Sequence, residues 1–190
     1  NPGTMNMSRE FGLKIGFLTF FCDALKGGIP ALISYFIYRN YVFEGTLFVV
    51  SDLTRYVCGL SVIIGHVFPI TSRFKGGKGI ASTLGLFLFS LPCDWGWFAP
   101  IVLCLLFGVV FFIAATEWGS LGSLFGVTGL SVIQTVIFVQ RYNPLGANGY
   151  LIAVYLLIMA INVLTWAAHH QNLVRLFAGE EHHTSFKKML

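Results

Sequence analysis

Six apolar runs dominate this 190-residue chain, and each has to be buried in protein or set against lipid. A spanning helix needs about 20 mostly apolar residues. Ile15–Tyr38 meets that need, and the polar turn Arg39–Glu44 follows it. Gly45–Val67 is the second run, stopped near Pro69, whose ring cannot continue a helix. Ile80–Leu91 is short, about 12 residues or roughly 18 Å of helix against a hydrocarbon core of about 30 Å. Pro92–Asp94 then turns the chain, and Trp97–Thr116, Ser120–Val139 and Tyr150–Ala168 complete the set. Gln140–Gly149 reads as a loop and everything from His169 as a polar tail. The pattern predicts an all-α polytopic transmembrane bundle of six segments, one of them short, in a single integral-membrane domain over residues 1–190.

Composition agrees with lipid as the solvent. Hydrophobic residues make up 56% and charged residues 11%, where a soluble domain carries about 25% charged. The net charge of +4 does not call for nucleic acid, because Lys and Arg gather on cytoplasmic loops. With the N-terminus cytoplasmic, Arg9, Lys14, Arg73, Lys75, Lys78, Arg175, Lys187 and Lys188 share one side, and Arg39 and Arg141 the other. That alternation requires the short run to count as a span. The four cysteines stand singly, without metal-ligand or disulfide spacing. No motif points to a metal, a cofactor or a covalent nucleophile. The chain opens at Asn1 without a Met or a signal pattern, so a processed or truncated start is expected.

The densest chemistry is Gly65-His66-Val-Phe-Pro69 followed by Phe74-Lys75-Gly76-Gly77-Lys78-Gly79. Glycines let backbone N–H groups approach an anion, and a helix starting at Ile80 aims its dipole at the loop. The plain alternative is a flexible cytoplasmic loop. It is no Walker A motif, since Lys78 is followed by Gly79. At the start, Gly3 suits a tight anion-cradling turn and Asn6 with Arg9 would share a helix face, against the alternative of a frayed terminus. His169, Asn172 and Arg175 form a polar stripe, with Gly179 placed for a helix C-cap. Ser120 and Ser123 form a further pair, and Ser120 reads as an N-cap. Within the apolar runs, Asp23–Lys26 and Asp52–Arg55 are spaced to neutralise one another, a structural role. Gly27 and Gly28 beside Lys26 mark a kink or a close helix contact.

These stretches resemble the bacterial membrane acyl-phosphate:glycerol-3-phosphate acyltransferases. The family's first motif, Gly-Ser-Gly-Asn-x-Gly-Ala-Thr-Asn-x-x-Arg, is entered at Asn1 and runs to Arg9. The glycine loop with Gly65–Pro69 resembles its second motif, and His169-His170-Gln171-Asn172 through Arg175 to Glu181 its third. Asp23-x-x-Lys26-Gly27 also fits, so the likeness covers the whole chain. The resemblance implies seven spans, the first preceding Asn1. Met5 stands where the family has Thr, with Thr4 one place earlier, and Ala168 replaces a basic residue. A serine the family uses for substrate would precede Asn1, so an inactive fragment of an active parent is the expectation.

The resemblance implies transfer of a fatty acyl group from acyl phosphate to the sn-1 hydroxyl of glycerol 3-phosphate at the cytoplasmic face of a bacterial plasma membrane. The residues carried over as catalytic are Arg9, Lys78, Ser123, His169 and Asn172. Binding residues are Asn1, Gly3, Thr4 and Asn6 from the first stretch, and His66, Lys75, Gly76, Gly77 and Gly79 from the loop. Acyl phosphate, glycerol 3-phosphate and membrane lipid are the expected partners, without nucleic acid or an obligate protein. His66 is the alternative general base, imidazole titrating near neutrality, though a positioning role is preferred. An organophosphate or anion transporter is the rival reading. It would use the same basic loop, but the chain shows no internal repeat of the kind many transporters carry.

Overall fold

The computed structural model describes residues 3–94, 99–142 and 148–180. Helix α1 (Thr4–Phe11) lies against α2 (Leu13–Tyr38), a 26-residue helix that carries Pro30 in its interior. The terminus is thus helical, and Gly3 precedes it in extended backbone (φ −129°) that any residue adopts, not in a tight turn. Helix α3 is Val50–Val67, five residues shorter at its start than the apolar run suggests. There Gly45 (φ +71°) sits in a turn closed by Phe43 N donating to Phe48 O at 3.0 Å, and Val42 bridges Val49.

Helix α4 (Ile80–Asp94) runs through Pro92 instead of turning at it. A proline displaces one helical bond, and here it falls in the last turn, where the helix is anchored from outside. Helices α5 (Ala99–Thr116), α6 (Gly119–Tyr142), α7 (Gly149–Ala168) and α8 (His170–Phe177) follow. The polar tail thus begins as a helix, as the stripe of His169, Asn172 and Arg175 implies, and Gly179 (φ +73°) lies just past its end. Among the described residues, four helical stretches are long and apolar enough to cross a membrane (α2, α3 with the short turn that extends it to Ser72, α6 and α7), while Ile80–Asp94 and Pro100–Thr116 are shorter.

Helix α4 sits at the centre, packed on α2, α3 and α6, and α7 closes the group against α3 and α6. Small residues bring α2 and α4 into backbone contact. A Cβ added to Gly27 would lie 1.9 Å from Ser82 O, and one at Gly85 1.9 Å from Ala24 O. Such approach maximises dispersion where water supplies no driving force. Gly27 and Gly28 mark this close helix contact. The inner faces meet in Tyr56, Leu86, Phe87, Leu130 and Phe138, each fully buried. Outer faces carry Phe17, Phe107 and Phe111, all at least 70% exposed, which suits contact with lipid.

The far end of α4 is tied by charge. Arg55 donates to Asp52 at 2.6 Å, to Asp94 at 2.5 Å and to the Ser90 carbonyl at 2.9 Å. Gln134 donates to Asp94 at 2.7 Å, Arg141 stands 3.2 Å from Asp52, and the Tyr142 hydroxyl also donates to Asp52. Asp52–Arg55 is therefore no self-contained pair but part of a network joining α3, α4 and α6. Asp94, read as a turn residue, is one of its buried members.

Candidate functional site

At the opposite end, where α3 ends and α4, α6 and α8 begin, the predicted loop meets the polar stripe. Lys78 Nζ donates to Asn172 Oδ1 at 2.5 Å, and Arg175 donates to the same oxygen at 3.1 Å. Asn172 Nδ2 in turn donates to Ser120 Oγ at 2.5 Å. One amide thus gathers an ammonium, a guanidinium and a hydroxyl from three separate stretches of sequence. With Asp94 at its other end, α4 links this cluster to the buried charge network.

The loop is built differently from a flexible anion cradle. Gly76 N donates to Val67 O at 3.1 Å and Gly77 N to His66 O at 3.2 Å. Lys75 N and Phe74 N are likewise engaged, by Ser72 O and Pro69 O. The Gly76 and Gly77 amides satisfy orphan carbonyls at the end of α3, those of Phe74 and Lys75 close turns ahead of them, and none of the four is available to a ligand. Their effect is to fix the loop. Gly79 (φ +82°) then turns the chain into α4, whose first N–H groups have no intrahelical partner. Lys75 is exposed, and its side chain makes no hydrogen bond or ion pair among the described residues.

His169 is 3% exposed and its Nδ1 lies 2.8 Å from Thr165 O. A carbonyl only accepts, so Nδ1 carries the proton and donates. Ser123, one turn beyond Ser120, donates to Gly119 O at 2.7 Å and keeps lone pairs to accept. Ser120 is not the expected N-cap; its oxygen accepts from Asn172 instead. Its pairing with Ser123 was the available signal, and only the position of α8 shows where the hydroxyl points.

Arg9 is exposed on α1 and makes no hydrogen bond or ion pair among the described residues. Thr4 opens α1 half-buried and Asn6 is exposed on it. Asn1 lies outside the described residues. His66 forms a second group with Asp23 and Lys26, its ring packed on Gly77.

Residues 1–179 match the family model described as glycerol-3-phosphate acyltransferase. The glycerol-3-phosphate acyltransferase of Finegoldia magna is 33% identical over 181 residues, covering 95% of this chain and 77% of that protein. The one from Mycoplasma mobile is 36% identical over 206 residues, covering 99% and 79%. The crystal structure of PlsY, an integral membrane glycerol 3-phosphate acyltransferase, in its glycerol 3-phosphate form superposes with a TM-score of 0.70 at 27% identity. That match covers 98% of this chain and 79% of that one. The lysophosphatidic acid form of the same enzyme gives a TM-score of 0.67 at 28% identity, covering 95% and 78%.

Proposed function

The chain belongs to the glycerol-3-phosphate acyltransferase family, and from that premise we propose that it moves a fatty acyl group from an acyl phosphate to the sn-1 hydroxyl of glycerol 3-phosphate. The observation that carries the reading is the convergence of Lys78 and Arg175 on Asn172. Two cations held a few ångströms apart by a neutral amide make a seat for a phosphate dianion, with Coulombic attraction strengthened by the low-dielectric surroundings. Family membership favours a transferase over the transporter alternative.

In this reading Lys78 holds the acceptor's phosphate, and Arg9 joins it from α1. Ser123 and Asn172 orient the glycerol, and His169 accepts a hydrogen bond through Nε2, its Nδ1 being the donor to Thr165. Asn1, Gly3, Thr4 and Asn6 flank the acyl phosphate. The acceptor hydroxyl oxygen bonds to the acyl carbonyl carbon, the carbon–oxygen bond to phosphate breaks, and the departing phosphate takes the hydroxyl proton. The products are 1-acylglycerol 3-phosphate and inorganic phosphate. The donor is already activated, so no enzyme nucleophile is required and catalysis is positioning and electrostatics. The bundle lies in a bacterial plasma membrane with this site on the cytoplasmic face, as the distribution of Lys and Arg supports.

The test supplies the reconstituted protein with labelled glycerol 3-phosphate and palmitoyl phosphate, with palmitoyl-CoA in parallel. Lysophosphatidate from palmitoyl phosphate is expected; product from palmitoyl-CoA alone would refute the donor assignment.

A further inference from the structure

Asp23 and Lys26 have no role in the reaction as written, yet they stand directly behind its glycine loop. Lys26 Nζ lies 2.7 Å from Asp23 Oδ1 and 2.5 Å from His66 Nδ1. Asp23 Oδ1 is itself 3.7 Å from that ring nitrogen, beyond hydrogen-bond reach. An ammonium has three donors and no acceptor. The ring nitrogen facing it must therefore offer a lone pair. A proton on Nδ1 would set two donors against each other with no acceptor between them. That leaves a neutral ring with its proton on Nε2.

Nε2 is the ring atom that meets Gly77. A Cβ added at Gly77 would lie 2.1 Å from it, so the position admits only glycine while the ring stays in place. The His66 side chain is 8% exposed, and among the described residues nothing hydrogen-bonds Nε2. An N–H there is left to donate to a ligand, and it lies beside Gly77, the residue immediately before Lys78.

We infer that Asp23 and Lys26 are positioning residues that lock His66 as an Nε2–H donor to a phosphoryl oxygen held at Gly77–Lys78. The inference rests on the acyl transfer proposed above and assigns His66 a part in it. It also removes His66 as a general base. One nitrogen is engaged by the ammonium and the other already carries the proton, so no lone pair remains to take one. The oxygen belongs to the donor's phosphate or to the acceptor's, and the hydrogen-bond chemistry is the same for both.

Two measurements on the lipid-reconstituted protein test this. The first is nitrogen NMR of 15N-histidine protein near neutral pH, with His66 assigned by its loss in His66→Gln. A protonated Nε2 and a bare Nδ1 are expected, and a proton on Nδ1 overturns the inference. Lys26→Met should mix the two tautomers and Lys26→Arg should restore the single one; an unchanged ring in Lys26→Met also overturns it. The second is kinetic. Gln places an N–H near the Nε2 position but cannot serve as a base. His66→Gln should stay within about tenfold of the parent, while His66→Phe falls on the order of a hundredfold, as for loss of one preorganised donor. His66→Gln as inactive as His66→Phe, with both proteins melting like the parent, overturns the donor role. A raised KM for palmitoyl phosphate or for glycerol 3-phosphate identifies which phosphate is contacted, and either supports it. A parent that makes no lysophosphatidate refutes the reaction instead, and leaves the NMR result standing.

Discussion

Replacing Asp94 by Ala should be the most damaging single change at the end of the bundle away from the site. Asp94 and Arg55 have fully buried side chains, and the carboxylate takes two bonds from the guanidinium, at 2.5 and 3.2 Å. It also accepts from Gln134 at 2.7 Å. In the parent, Arg55 and Arg141 balance Asp52 and Asp94; without Asp94 the cluster is left with one uncompensated positive charge. Removing one partner of a buried pair costs about 3–5 kcal/mol. Asp52 stays 2.6 Å from Arg55, so the lower end, about 3 kcal/mol, is expected. For a chain of this length that lowers Tm by roughly 6–12 °C. The assay is thermal and denaturant unfolding in lipid-like detergent, with Arg55→Met/Asp94→Leu alongside. The double variant leaves Asp52 and Arg141 to each other at 3.2 Å and should be closer to the parent than Asp94→Ala alone. An Asp94→Ala protein within about 1 kcal/mol of the parent would refute the reasoning. So would a double variant less stable than the single one.

The other predictions concern the site and the helix contact that carries it. Lys78→Ala should raise the KM for glycerol 3-phosphate about ten- to a hundredfold, the scale of one charge-assisted hydrogen bond. If kcat is little changed, the lysine holds ground state and transition state alike; titrating the acceptor at saturating palmitoyl phosphate reads both. Asn172→Leu leaves Lys78 and Arg175 without their shared oxygen, so activity should drop at least about tenfold at unchanged expression. Gly85→Val drives a side chain into the Ala24 carbonyl 1.9 Å away and should cost about 1–3 kcal/mol or more. Gly108→Ala, with nothing within 4 Å, should melt like the parent.

The architecture was legible wherever apolar length alone decides it, as at Leu13–Tyr38 and Gly149–Ala168. Boundaries set by tertiary ties were not. Pro92 looks like a stop in sequence, yet Arg55, some forty residues earlier, holds the last turn of α4 around it. Gly45 through Val49 read as the start of a span because they are apolar, and a local hydrogen-bonded turn excludes them. At the site, Lys78 and Asn172 were visible as residues of the right chemistry, but their meeting depends on how α4 and α8 are set, which no spacing reports. Ser120 and Arg175 were noticed and given lesser parts for the same reason. The glycine loop shows the opposite error. Its composition suggests free amides, whereas the α3 carbonyls, invisible to a local reading, engage those of Gly76 and Gly77.

The 15-residue helix α4 spans roughly 22 Å, about 8 Å less than a hydrocarbon core. Because α2 and α4 touch through their backbones, the shortfall cannot be relieved by sliding one past the other without breaking the Gly27 and Gly85 contacts. If α4 crosses a bilayer, one mouth of the bundle opens below the plane of the lipid headgroups. If it is the mouth holding Lys78, a water-soluble phosphate ester is drawn down to the depth at which a fatty acyl carbonyl naturally rests. The reactants would then meet because the protein is locally thin, and the acyl chain need never leave the bilayer.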